Sequence, residues 1–493
     1  MNILILSNNA PNYQFFFGNL AKRLCADGNS VVFAVDSTFS RDINELDKLG
    51  FEIHEFERFF SAHAADHALL ERYSGFNLND ALLSDFERAE TYRIQGKRDT
   101  RYFTQLKSAL LAFFEQLFAR HNIHTVLYEG VSNTFAYFAL IVAQRNGVQY
   151  CGIGSSRLPG RFSITSDPLH DDEPKLAFER IQNGILQIPD DVKQWCAEYL
   201  DSIDTIVPDY MKFNGLNSTS LIKRYMRWER LRTISKLARY ALKDSNYAFQ
   251  IGNPLVHYFS LFSRNVGRAA KSVWLRGYYD APEYADKFLL YPLHFHPEAS
   301  TSILAGTFLN EYEVIKNIAF NLPQGVNLYV KDHTGAFGFP AVEFYRRLKA
   351  LPNVSVIAPD APTKRLIKSS IAVITITSTV GYEALLMGKR VFLFGTVFYE
   401  FHKGVVRVGD PSRLFELFNT YIGTELELDA RYNMQFVAAY LFSTRVGTLN
   451  LMLKGDDADR MVGSVYSSIV EHLGTPQTKS QREMQETRWL LAN

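Results

Sequence analysis

Residues 372–395, AVITITSTVGYEALLMGKRVFLFG, decide how the rest of the chain is read. An apolar run leads into Thr377, Ser378 and Thr379; a segment with helical spacing follows, then a second apolar run ending at Gly395. Short apolar runs bounded by turn residues read as buried strands, and two of them joined by a helix make a βαβ unit. Three hydroxyl residues where the helix begins set side-chain oxygens beside the unpaired N–H groups of its first turn, a place suited to an oxyanion. Gly381 lets a ligand approach closely. Glu383, one turn beyond Thr379, offers a carboxylate to ribose hydroxyls. A nucleotide is the ligand this pattern suggests; the plainer reading, in which Thr and Ser only cap a helix, uses the same residues.

Working outward, the same alternation continues on the amino-terminal side. Strands are expected at 288–293, 327–331 and 354–358, with helices near 302–321, 342–351 and 363–369. A matching unit opens the chain, with strands at 2–6, 30–35, 51–56, 125–128 and 149–153 and helices at 13–26, 104–121 and 134–146. Short apolar runs alternating with helices call for a mostly parallel sheet covered on both faces. The expected fold class is therefore α/β, with two Rossmann-like domains facing a cleft and helical insertions. The expected boundaries are 1–171 for an N-terminal acceptor and catalytic domain, 172–286 for a helical connection, 287–410 for a nucleotide-sugar domain, and 411–493 for C-terminal helices and a polar tail. Residues 57–101 read as a polar, helical insertion over one sheet edge.

Composition narrows the function. The 493 residues are 47% hydrophobic and 14% aromatic, as in a globular protein with sizeable cores. Lys plus Arg (53) balances Asp plus Glu (52), so no global field draws the protein to nucleic acid. Cys25, Cys151 and Cys196 are widely spaced and form neither a disulfide framework nor a zinc pair; a reducing cytoplasm fits. No signal peptide and no bilayer-spanning run is read. Residues 221–243 carry eight cations against the single acid Glu229, interleaved with apolar residues. Such a helix either lies on an anionic membrane, holds an acidic glycan, or is simply a solvated face.

Four polar loops follow expected strands: Tyr128-Glu129-Gly130, the run from Ser155 to Arg161, His294-Phe295-His296-Pro297-Glu298, and Lys331-Asp332-His333-Thr334-Gly335. In an α/β fold, loops at the carboxyl ends of strands meet ligand. Lys331 and His333 suit phosphate or carboxylate, and the alternative for them is an ion pair with Asp332 or a neighbour. Arg157 and Arg161 flank Pro159-Gly160, so that one turn presents two guanidinium forks to a carboxylated sugar; salt bridges to Asp167, Asp171 or Asp172 are the alternative. His294, His296 and Glu298 are donor-side candidates. No third ligand with metal-site spacing stands near the histidines, and the run 170–173 reads as a solvated acidic loop, since no strand is expected before it. No essential metal and no cofactor are expected. Walker, GxSxG and GxGxxG motifs are absent from the contexts they require.

The runs YPLHFHPEASTSILAG, LYVKDHTG, LPNVSVIAP and ITSTVGYEALLMGKRVFLFG resemble the bacterial capsular polysaccharide biosynthesis and export family, which includes the retaining β-Kdo transferases. The resemblance spans about residues 287–402, with weaker echoes in YEGVSNTF and SSRLPGRFSITSDP. It implies a GT-B glycosyltransferase using a CMP-activated ulosonic acid as a substrate, with His333 at the cytidine phosphate, Thr377, Ser378 and Thr379 as the phosphate loop, and Glu383 at the nucleotide. Thr334 stands where the family's His-Pro motif has proline. The implied partners are a glycan or glycolipid acceptor, capsule assembly proteins and an anionic membrane surface, placing the protein in the cytoplasm at the inner face of the membrane. Asp167 and Glu129 are the candidate reacting carboxylates. A UDP-sugar transferase or epimerase, and a noncatalytic glycan-binding or export-assembly protein, are the rival readings.

Overall fold

The computed structural model describes residues 1–10, 12–91, 98–209, 237, 239–240, 247–296, 298–424, 426 and 430–474. The chain forms two compact units: Met1–Pro168 with Ile222–Leu261 and Thr444–Asn493, and Leu169–Leu221 with Phe262–Ser443. The helical connection expected over 172–286 is therefore shared out, and helix Pro254–Leu275 contributes residues to both units. The basic segment 221–243 lies outside the described residues except for Leu237, Arg239 and Tyr240.

In chain order the strands are β1 (Asn2–Ser7), β2 (Ser30–Val35), β3 (Glu52–Glu55), β4 (Thr125–Glu129), β5 (Gln149–Ser155), β6 (Arg161–Thr165), β7 (Phe288–Pro292), β8 (Asn327–Lys331), β9 (Val354–Ile357), β10 (Ala372–Thr375), β11 (Arg390–Leu393), β12 (Val405–Arg407) and β13 (Thr444–Val446). The first sheet has seven strands in the order β13-β6-β5-β4-β1-β2-β3. Its five strands from β5 to β3 run parallel, and Ile3, Leu4 and Ile5 of β1 are inaccessible because helices cover both faces. Helix Tyr13–Ala26 follows β1, and helix Thr134–Arg145 follows β4 with Asn133 capping it through the Ala136 N–H.

One edge of this sheet departs from the sequence expectation. The run from Ser155 to Arg161 is a hairpin: β6 returns antiparallel to β5, and β13, from the C-terminal segment, adds antiparallel to β6. Pro159-Gly160 makes the bend, with Gly160 at φ 66°, a left-handed conformation that glycine adopts without a Cβ penalty. A strand thus does precede the acidic run 170–173, contrary to the expectation.

The second sheet is wholly parallel, with six strands in the order β12-β11-β10-β7-β8-β9. Leu289, Tyr291, Leu328, Val330, Ile374 and Phe392 fill its core, with Ile315 and Ile318 packed over them from helix Glu311–Phe320. The single helix expected near 302–321 is two, Ala299–Ser302 and Glu311–Phe320, with Gly306 between them at φ 58°. Helices Glu173–Gln182 and Ala430–Ser443 belong to this unit; Phe178 of the first packs its ring against Phe401 and Tyr432. Among the described residues no helix is long and apolar enough to cross a membrane.

Candidate functional site

In the second unit the loops after β7, β8 and β10 carry the polar residues singled out by the sequence, and the structure joins two of these loops by direct bonds. His294, just past β7, is buried with its ring between a carboxylate and a backbone amide. Its Nδ1 lies 2.7 Å from Glu311 Oε1, and its Nε2 accepts the Thr377 N–H at 3.2 Å. An acceptor at Nε2 places the proton of a neutral ring on Nδ1, facing Glu311. Glu311 Oε1 also accepts the Tyr291 hydroxyl (3.1 Å) and the His294 N–H (3.0 Å), and Oε2 lies 3.3 Å from His296 Nε2. Burial alone would raise the Glu311 carboxyl, but bonds from both histidines outweigh it and hold the group well below its usual range.

This arrangement changes what the hydroxyl loop can do. The Thr377 N–H is taken by His294 and the Ser378 N–H by Thr375 Oγ1 (3.0 Å), so these two amides brace the loop. Ser378 Oγ accepts the Val380 N–H at 3.2 Å where helix Val380–Leu386 begins, while the cap residue itself, Thr379, makes no side-chain cap bond. Thr377 is buried, while Ser378 and Thr379 are partly exposed. Gly381 does not open a path for ligand: a Cβ there would stand 2.4 Å from the Tyr399 hydroxyl, which binds the Ser378 carbonyl. Glu383 pairs with Lys364 at 2.7 Å, both side chains largely covered.

After β8, Asp332 organises the loop. Its Oδ2 accepts the hydroxyls of Tyr279 (2.7 Å) and Tyr345 (2.8 Å), and its Oδ1 accepts the His333 N–H (2.7 Å). Lys331 is buried and donates to the carbonyls of Asp332 (3.2 Å) and Pro359 (3.0 Å); burial brings its ammonium down to about 8. The structure thus gives Lys331 backbone partners on the β8 and β9 loops rather than an ion pair with the Asp332 carboxylate. His333 is partly exposed. Its Nδ1 accepts the Gly335 N–H at 3.1 Å, which leaves the proton of the neutral ring on Nε2 as a donor. Burial, helped by Lys331, lowers this imidazole to about 4. From helix Pro254–Leu275, Arg268 donates to the Phe337 carbonyl at 2.7 Å and lies over the Phe339 ring, pinning the far end of the same loop. Glu298 is exposed.

In the first unit, Glu129 ends β4, with Oε2 accepting the Tyr13 hydroxyl (2.7 Å) and Oε1 the Ser132 hydroxyl (2.8 Å). Burial raises its carboxyl, and these bonds and Arg88 work in the other direction. Arg161 is the first residue of β6, and its Nε and Nη2 donate to Oγ1 (2.7 Å) and O (2.8 Å) of Thr444, tying β6 to β13. The expectation that one turn presents Arg157 and Arg161 side by side fails for that reason: Arg161 is a strand residue whose guanidinium addresses β13. Asp167 follows β6, its N–H donating to Thr165 Oγ1 at 3.3 Å.

Sequence reasoning passed over Glu311, Thr375, Tyr279, Tyr345 and Arg268. Glu311 lies 17 residues from His294, at the start of its helix, and the only sequence signal there is the Asn310 cap before it. Thr375 stood inside an apolar run and read as strand.

Residues 235–412 match the family model described as capsule polysaccharide biosynthesis protein. The matched region takes in the second sheet from β7 to β12. It contains the loops after β7, β8 and β10 and the helix that carries Arg268. No curated protein sequence matches the chain at a significant level. Among solved structures, the KpsC β-Kdo 2,4 transferase of Thermosulfurimonas dismutans is similar at 15% identity, covering 73% of this chain and 94% of that one with a TM-score of 0.35. The UDP co-structure of MnaA from S. aureus is similar at 11% identity, covering 95% and 98% with a TM-score of 0.29. The UDP-GlcNAc 2-epimerase of Neisseria meningitidis bound to UDP-GlcNAc is similar at 12% identity, covering 95% and 100% with a TM-score of 0.29.

Proposed function

We propose that the protein is a glycosyltransferase of capsule or surface polysaccharide synthesis, moving an acidic ulosonic sugar from a CMP donor to a glycan or glycolipid acceptor. The observation that carries this reading is the braced loop pair: within the family-matched region, Glu311 fixes His294, and His294 fixes the amide of Thr377. A preorganised loop pair beside the partly exposed hydroxyls of Ser378 and Thr379 favours a leaving group that gains charge as its bond breaks, because the donors need no rearrangement at that moment. On this reading Ser378, Thr379 and the His333 Nε2–H contact the CMP phosphate, and Lys331 supports the loop from behind. Glu383, already paired to Lys364, reaches the ribose as a positioned acceptor.

For the reacting groups we assign Asp167 as nucleophile and Glu129 as base, in a double displacement that retains configuration. The Asp167 carboxylate attacks the anomeric carbon of the sugar, the bond to the phosphate breaks, and CMP leaves with the electron pair. An acceptor hydroxyl then gives its proton to Glu129 and attacks the same carbon, releasing Asp167. A carboxyl raised by burial suits Glu129 to the base role, since its proton affinity moves toward the working pH. The test is transfer from a CMP-ulosonate donor followed by intact-mass analysis: wild type accumulates a sugar adduct, and Asp167→Asn shows neither adduct nor product. A fully active Asp167→Asn enzyme overturns the assignment. As a further partner we propose an anionic membrane surface bound by the eight cations of residues 221–243. Replacing Arg227, Arg230 and Lys236 by Gln should then reduce sedimentation with anionic vesicles, most at low salt.

A further inference from the structure

A side-chain cluster in the first unit has no part in that reaction. Glu52 and His54 are two apart on β3, an edge strand of the sheet, so both project from the same face. His121 closes helix Thr100–His121, and its carbonyl accepts the Asn2 side-chain amide at 2.8 Å, which fixes the helix end against the start of β1. The cluster therefore lies by the amino ends of the strands, whereas Glu129 stands at a carboxyl end.

The ligand atoms of Glu52, His54 and His121 all lie within 4.8 Å of one another. His54 Nε2 is 3.2 Å and His121 Nε2 is 3.8 Å from the same Glu52 Oε1. Tetrahedral zinc with bonds of about 2.0–2.1 Å sets its ligand atoms about 3.3 Å apart, so small rotamer changes bring these three atoms into range. Both Nε2 atoms are also buried without a hydrogen bond, although they converge on one carboxylate oxygen. The rings meet edge to face with centroids 4.7 Å apart. Unmet buried polar atoms cost stability, and a divalent cation bound by both would satisfy the two together.

We propose that Glu52, His54 and His121 form a zinc-type divalent-cation site that ties edge strand β3 to the end of helix Thr100–His121. Two imidazoles and a carboxylate are the borderline donor set that zinc, cobalt and nickel accept, and water completes the fourth position. The Arg120 guanidinium, 3.4 Å from the same Glu52 oxygen, is the competing group; its side chain is 68% exposed and can turn out to solvent.

The untagged full chain, stripped with a chelator and desalted, is titrated with Co²⁺ and then with Zn²⁺. Wild type should take up one equivalent of Co²⁺, with the d–d absorption bands of a four-coordinate site, and Zn²⁺ should displace it. His54→Gln and His121→Gln, checked for folding by circular dichroism, should each weaken binding by more than about tenfold. His296→Gln, in the other histidine cluster, should leave binding unchanged. No cobalt spectrum from wild type, or uptake by the His54→Gln and His121→Gln variants equal to that of wild type, would overturn the site.

Discussion

At the carboxyl end of β7 a carboxylate and two histidines hold one another and the backbone of a neighbouring loop, whereas at the carboxyl end of β4 the carboxylate of Glu129 is held by two hydroxyls. The first arrangement builds a fixed surface, because removing any member leaves buried partners unpaired. The second leaves a carboxyl whose charge state is adjustable, since Tyr13 and Ser132 each donate to it without a full countercharge. The difference is one of rigidity: the first arrangement fixes backbone, the second leaves a single carboxyl free to change its charge.

Removing the carboxylate from each arrangement is the most severe way to test this contrast. Glu311→Ala leaves His294, Tyr291 and His296 without their shared acceptor, and denaturant unfolding should show a loss of about 3–5 kcal/mol. Glu129→Gln keeps shape and most hydrogen-bonding capacity, so it should cost about 1 kcal/mol or less while abolishing transfer. Equal losses in the two variants would erase the distinction.

Acid sensitivity comes next in size. His402, in the second unit, is buried with Nδ1 accepting the Gly404 N–H at 3.0 Å and Nε2 3.3 Å from Asn433 Oδ1; burial lowers it to about 4. His472, in the first unit, is lowered to about 4 by burial and by Arg445. Between the ordinary histidine value of about 6.5 and the folded value of about 4, the unfolded chain binds more protons. Stability from these groups is therefore complete above about pH 6.5 and falls as pH drops toward 4, by up to about 3 kcal/mol for each. Asp36, raised to about 7 by burial, works in the opposite direction and loses stability as pH rises. Unfolding midpoints measured from pH 7.5 to 4.5 should show a shallower acid slope for His402→Gln than for wild type. An unchanged slope would remove His402 from the account.

Two glycines sharpen the comparison on a smaller scale. A Cβ at Gly381 meets the Tyr399 hydroxyl, and Gly381→Ala should cost about 1–3 kcal/mol by overpacking. A Cβ at Gly130, after β4, meets nothing within 4 Å, so Gly130→Ala should change the unfolding midpoint little.

What the sequence made legible follows the same division. Most parallel strands of both units stand out as short apolar runs between turn residues, and the helix after β1 is expected at 13–26, where it lies; β12, only three residues long, is not expected, and β3, EIHE, is largely polar. β6, RFSIT, alternates and is short, and its other partner β13 lies 283 residues away at the Arg161–Thr444 contact, so no local pattern announces the antiparallel edge. In the site, residues on strand ends were found by position, while Glu311 and Thr375 were not: a carboxylate at a helix start and a threonine in a strand are ordinary locally, and only the fold brings them to His294. Arg161 misled for the converse reason, since its charge suggested a ligand and the fold gave it Thr444.

The proposed function requires the second unit to hold the phosphate of a cytidine nucleotide on the loops braced by His294 and Asp332. Calorimetric titration of the purified protein with CMP and with UDP, repeated on His333→Ala and Ser378→Ala, tests it most directly. CMP should bind at least about tenfold more tightly than UDP, and each substitution should weaken CMP about tenfold or more, as the loss of a hydrogen bond to a charged group worth about 1.5–3 kcal/mol requires. UDP binding as tightly as CMP, or CMP affinity unchanged in both variants, would contradict it.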